Sequence, residues 1–218
     1  MAEVRRFVDA DELGRTLAGE IVAARPALLG CPGGRSLQTT YRHLLELQET
    51  TIVMMDEYVP VPPAGAHYSC RGFAARELPH AKEIWLPDPD DPEAYDERIA
   101  DAGGIDLFLL ASGASDGHVA MLGPGAPRDG RTTVVELAET TRRDNLRTFP
   151  EFESIDDVPE HGVTVGLRTI LDAKALRLVI HGADKQHAIE RVLSLDAFDP
   201  TWPVSIVHEH DDAEILIA

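Results

Sequence analysis

The sequence predicts an α/β protein: a mostly parallel sheet with helices on both faces. Three observations predict it. Short apolar runs recur without polar alternation, as in 51–55 (TIVMM), 105–111 (IDLFLLA) and 176–180 (LRLVI), the pattern of strands buried on both faces. Segments of helical spacing separate these runs, which favours parallel neighbours joined by crossovers. Small residues follow several of the runs, where the chain must turn over the carboxyl edge of the sheet.

Taken in order, residues 9–24 place Leu13, Leu17, Ile21 and Val22 at helical intervals, with Asp9 or Asp11 as cap. Residues 27–31 (ALLGC) form a strand, 32–36 (PGGRS) a turn and 37–47 a helix. Such a turn is able to offer bare amides to an anion, although paired glycines suit any tight turn. The strand at 51–55 ends in Asp56-Glu57-Tyr58, and the Pro- and Gly-rich 59–66 is a loop. A helix over 69–78, a brief strand at 84–86, an acidic connection at 87–92 and a surface helix over 93–102 follow. After the central strand, 132–137 alternates weakly as a strand. The polar 139–159 lacks periodicity and fits either a lid or a plain surface excursion. Residues 163–171 are apolar, with a helix after Gly166. The strand at 176–180 leads into HGADK (181–185) and a helix to Leu193; 204–207 and 214–217 close the chain as strands. With no repeat and no linker, one domain over 1–218 is expected.

Composition narrows the function classes. Asp plus Glu number 38 against 20 Lys plus Arg, a net charge of −18. That balance argues against nucleic acid or an anionic membrane as partner. An anionic substrate would need a local island of positive charge. The 2 cysteines, Cys31 and Cys70, form no CxxC, so free thiols in a reducing compartment are expected. The opening MAEVRRFVDADEL carries acids where a signal peptide has its apolar core, and no run is long enough to span a bilayer. A cytoplasmic location is the expectation. Oligomeric state is not legible.

In a sheet of this kind the residues just after each strand gather at one edge, where ligands bind. They are Gly33, Gly34 and Ser36, then Asp56 with Glu57, then Asp116 and His118, then Lys185. Amides, a hydroxyl and a fixed cation suit a phosphate. A carboxylate and an imidazole suit proton transfer, and Asp116, two residues before His118, is able to hold one tautomer. Each group also has a plain explanation: Asp56 and Asp116 as helix caps, His118 as a surface histidine, Lys185 as the start of a helix. His208 and His210 alternate, as two metal ligands on a strand would, but solvated residues at a strand end explain them as well, and no metal is expected.

Six segments taken together carry a resemblance: PGGRSL (32–37), MMDEYV (54–59), SDGHVA (115–120), TRRDNLR (141–147), VTVGLRTILDA (163–173) and HGADK (181–185). The sequence resembles the glucosamine-6-phosphate deaminase/6-phosphogluconolactonase superfamily over nearly its whole length. The resemblance implies a modified Rossmann-like sheet and a phosphosugar substrate, with no cofactor and no metal. MDEYV, TRxxNxR and TVGxxTxLDA match the deaminase branch. On that branch Asp56 would move a proton between the second and first carbons of the open-chain aminosugar phosphate. His118, oriented by Asp116, would open the ring. Gly33, Gly34, Ser36, Arg147 and Lys185 would bind the phosphate. The loop DGHVAMLGPG instead resembles the lactonases, with Gly123 where deaminases usually carry a glutamate, and the PGGRSL turn has the lactonase length. The alternatives implied are a lactone hydrolase, with His118 activating water, and a non-catalytic sugar-phosphate binder.

Overall fold

The computed structural model describes residues 2–218. Ten strands are present among them: β1 (Glu3–Arg6), β2 (Leu28–Cys31), β3 (Thr51–Met54), β4 (Asp56–Val59), β5 (Glu83–Trp85), β6 (Leu107–Ala111), β7 (Thr133–Glu136), β8 (His161–Thr164), β9 (Leu176–Ile180) and β10 (Ala213–Ile217). Seven build one sheet in the order β1-β10-β9-β6-β2-β3-β5, every pair parallel. The other three form an antiparallel ribbon, β4-β8-β7.

The apolar runs are buried on both faces because successive side chains point to opposite sides. Phe108, Leu110, Leu178 and Ile215 enter one core, beneath α4 (Pro92–Asp101), α6 (Leu167–Leu171) and α7 (Gln186–Leu193). Leu109, Val179 and Leu216 enter the other, with α1 (Ala10–Ala24), α2 (Gln38–Tyr41) and α3 (Cys70–Glu77). Asp9 caps α1, its carboxylate accepting from the amides of Asp11 and Glu12. The single charge near the start of the central run, Asp106, accepts from the amides of Ala27 and Leu28 and pairs with Lys174. It ties the amino-terminal ends of neighbouring strands.

On either side of the β6–β2 pair the strands run outward in chain order, β6-β9-β10 one way and β2-β3-β5 the other, so the loops after β2 and β6 diverge at the centre of the sheet. A crevice at the carboxyl edge results. The crevice is closed from above by the ribbon and by α5 (Glu139–Thr148).

Several elements differ from the sequence reading. The helix expected over 37–47 is reduced to the one turn of α2. Asp56 to Tyr58, expected as the end of the 51–55 strand, and Val59, expected to open the loop 59–66, form a separate strand, β4, because β8 supplies an antiparallel partner. The first half of 139–159 is α5. Residues 203–209 form a 3₁₀ helix rather than a strand, since Pro203 has no amide to give to a ladder. His208 and His210 therefore do not share a strand face: their Nε2 atoms meet the carbonyls of Val192 and Ala173. β1 was not foreseen: four largely exposed residues with two arginines carry no apolar signal. No helix among the described residues is long and apolar enough to cross a membrane.

Phe108 is fully buried against Gly30 of the adjacent strand. Phe108→Ala is expected to cost about 3–5 kcal/mol of unfolding free energy, against about 1 kcal/mol for Asp9→Ala at the α1 cap, both measured by urea denaturation.

Candidate active site

The crevice is lined by Gly33, Gly34, Arg35 and Ser36 from the turn after β2, and by Asp56 and Tyr58 from β4. Ser112, Ala114 and His118 come from the loop after β6, and Asp184 and Lys185 from the turn after β9. The fourth wall is α5, whose Thr141, Asp144, Asn145 and Thr148 face inward at helical spacing. Thus Gly33, Gly34, Ser36, Asp56, His118 and Lys185, separated by up to 152 positions of chain, share one cavity.

Asp116 does not line the cavity; it stands behind His118. Its Oδ1 is 2.8 Å from His118 Nδ1 and also accepts the His118 amide at 3.1 Å. Its Oδ2 accepts from the Thr140 hydroxyl. Burial acts to raise the Asp116 pKa, but the bonds from His118 and Thr140 outweigh it and hold the carboxyl well below the usual range. An ionised carboxylate only accepts, so Nδ1 carries the proton of this bond, and in the neutral ring the acceptor nitrogen is Nε2. The loop keeps this pair in place through two glycines. A Cβ on Gly113 would lie 2.2 Å from His118 Nδ1, and Gly117 combines φ +64° with the Trp202 indole 2.3 Å from where its Cβ would be.

Asp56 and Glu57 are adjacent and buried, yet differently solvated. Glu57 accepts from the amides of Tyr58, Cys70 and Arg71 and from the Ser69 hydroxyl, at the start of α3. Asp56 receives one hydroxyl, that of Thr164 at 2.5 Å, and Thr164 in turn accepts the Met121 amide at 3.1 Å. Burial pushes Asp56 up to about 7; the Thr164 bond and the nearby His118 pull the other way. A carboxyl near neutral, facing a cavity, is suited to taking and returning a proton.

At the opposite end Lys185 donates to the Ser112 carbonyl at 2.6 Å. Burial lowers its pKa, and the charge of Asp144 works against that. Arg35, half exposed, reaches Asp184 at 3.4 Å across the rim. One side of the cavity is aromatic: Tyr58 and Phe149 belong to a cluster with His67, Tyr68 and Phe152, ring centroids 4.6 to 6.4 Å apart. Arg147 departs from expectation. It is exposed on α5 and falls outside the inward-facing set 141, 144, 145 and 148. Gly123 lines a separate pocket behind the loop. Arg35, Thr164 and Thr140 join the site beyond the residues expected from sequence; Arg35 lies in PGGRSL and Thr164 in VTVGLRTILDA, whereas the hydroxyl of Thr140 carries no signal of its own.

A family described as glucosamine-6-phosphate isomerases/6-phosphogluconolactonase matches residues 9–216. The chain belongs to this family. Among its relatives, the glucosamine-6-phosphate deaminase of Bacillus pumilus (strain SAFR-032) is 35% identical over 97% of this chain and 95% of its own length. That of Rhodococcus opacus (strain B4) is 33% identical over 94% and 86%. A monomeric glucosamine-6-phosphate deaminase of known structure superposes with a TM-score of 0.89 at 30% identity, covering 99% of this chain and 96% of that one. The 6-phosphogluconolactonase of Trypanosoma brucei, at 19% identity and a TM-score of 0.74 over 100% and 96%, shares the fold.

The raised Asp56 pKa sets a stability signature. An unfolded aspartate releases its proton near pH 4, whereas the folded one keeps it to about 7. Between those values only the unfolded state has released the proton, so Asp56 lowers stability as pH rises from about 4 to about 7. Asp56→Asn removes this loss. Its unfolding free energy relative to the parent should rise by on the order of 4 kcal/mol between pH 4 and pH 8, measured by urea denaturation across that range.

Proposed function

We propose that this chain, acting as one domain, converts glucosamine-6-phosphate and water into fructose-6-phosphate and ammonia. The observation that carries the proposal is a buried carboxyl poised near neutrality in the same cavity as an imidazole whose tautomer is fixed. A carbon-bound proton needs a base freed from water, and Asp56 is one.

The phosphate of the sugar lies against the Gly33–Gly34 amides, the Ser36 hydroxyl and the Lys185 ammonium, with Arg35 added from the rim. Arg147, exposed outside that wall, is given no contact. His118 moves a proton between the first hydroxyl and the ring oxygen, which breaks the bond from the ring oxygen to the first carbon and opens the chain. Asp56 takes the proton from the second carbon and returns it to the first. The amine-bearing second carbon becomes a ketimine, water adds to it, and ammonia leaves as the carbonyl forms. The balance is one water consumed and one ammonia released. Two free, buried thiols fit a reducing, cytoplasmic setting for this chemistry.

One feature favours a second reading, hydrolysis of a phosphosugar lactone. The loop has Gly123 and so brings no carboxylate from that position toward His118. A lactonase needs His118 to activate water and needs no carbon base.

The two readings separate on one substitution. Asp56→Asn should reduce ammonia release from glucosamine-6-phosphate by about 10³-fold or more, with inorganic phosphate binding retained by calorimetry. In the parent, kcat/KM should fall below pH ~7 as Asp56 takes up its proton. Rapid hydrolysis of 6-phosphogluconolactone that survives Asp56→Asn, with no ammonia formed, establishes the lactonase instead.

A further inference from the structure

We propose that Thr140 is a positioning residue that aims His118 by fixing the far side of Asp116; the catalytic part of this inference rests on the role of His118 given above. Asp116 spends one oxygen entirely on His118, accepting from both its amide and Nδ1. The other oxygen accepts from the Thr140 hydroxyl. A carboxylate turns about its Cβ–Cγ bond as a rigid plane, so holding one oxygen sets the direction of the other. Without the hydroxyl, Oδ2 loses its partner, and the plane on which the imidazole leans is held at Oδ1 alone, by His118 itself.

Neither a cap nor a core role explains a threonine at this position. Thr140 is exposed, and the N-cap of α5, Ala138, makes no side-chain cap. Its hydroxyl is spent on Asp116 alone. The helix is held to the same loop at two further points. Thr141 Oγ1 lies 3.4 Å from His118 Nδ1, and Asp144 Oδ2 accepts the Ala114 amide at 3.2 Å. The first turn of α5 also brings its partial positive charge toward the ionised Asp116. On the loop side, position 123 has no side chain to offer, and a Cβ there would lie 3.3 Å from that of Ala138, the residue that opens the helix. Support for the Asp116–His118 pair therefore comes from the helix.

The test compares Thr140→Val and Thr140→Ser in the full chain, in the parent and in His118→Ala. Thr140→Val should lower kcat for ammonia release about tenfold, with KM and inorganic phosphate affinity within about twofold. Thr140→Ser should restore kcat to within about twofold of the parent. In the His118→Ala background, Thr140→Val should have no further effect, since the hydroxyl acts only through the imidazole. Unchanged kcat in Thr140→Val, an equal loss in Thr140→Ser, or additivity with His118→Ala overturns the proposal. A readout independent of turnover is the ¹⁵N spectrum of the His118 ring. The parent should show one tautomer with the proton on Nδ1, and Thr140→Val a mixture; identical spectra also overturn it. If the parent releases no ammonia, the functional reading fails, while the ring spectra still decide the part played by Thr140.

Discussion

The hydrogen bond from Thr164 to Asp56 is the contact on which the arrangement depends. It joins β8 to β4 at the point where the chain leaves the parallel sheet, with the two residues directly opposite in the ribbon. The same hydroxyl accepts the Met121 amide, so ribbon, carboxylate and the loop after β6 meet on one oxygen atom. Buried polar groups are tolerated only when satisfied. Here a single donor keeps Asp56 satisfied without stabilising its charge enough to offset burial.

The crevice also resolves the problem of holding an anion in a molecule of net charge −18. Its cations are not in excess: Arg35 faces Asp184, and Lys185 lies in the field of Asp144. What the site provides is direction, through a glycine turn, a hydroxyl and an ammonium converging on one end. Such a cradle selects by geometry, because the summed field of the protein would otherwise repel the ligand.

Much of this was legible in the sequence. The buried strands announce themselves through unbroken apolar runs, and the rule that ligands collect at strand ends brings together Gly33, Asp56, His118 and Lys185 without any structure. What escaped was whatever depends on a partner distant in sequence. β4 looked like a strand end because its pairing residues lie more than 100 positions away in β8. α5 looked aperiodic because its inward face is polar, Thr141, Asp144, Asn145 and Thr148, and a helix that lines a wet cavity has no apolar stripe. The same reason hid Thr140. Arg147 belongs to a motif whose order in sequence does not say which side of a helix each member occupies. The run at 204–207 is apolar enough for a strand, and the proline before it directs it elsewhere.

The neighbours Asp56 and Glu57 show how finely the pleat of β4 assigns chemistry. Side chains alternate along a strand, so one acid looks into the crevice and the next into the start of α3, where three amides and a hydroxyl meet it. Their different environments are not written in their side chains, which differ by one methylene. They are written in parity. A shift of β4 against β8 by a single residue would trade the two environments, leaving a glutamate in the crevice and an aspartate too short for the helix. Pairing fidelity between two strands remote in the chain is thus itself a determinant of reactivity.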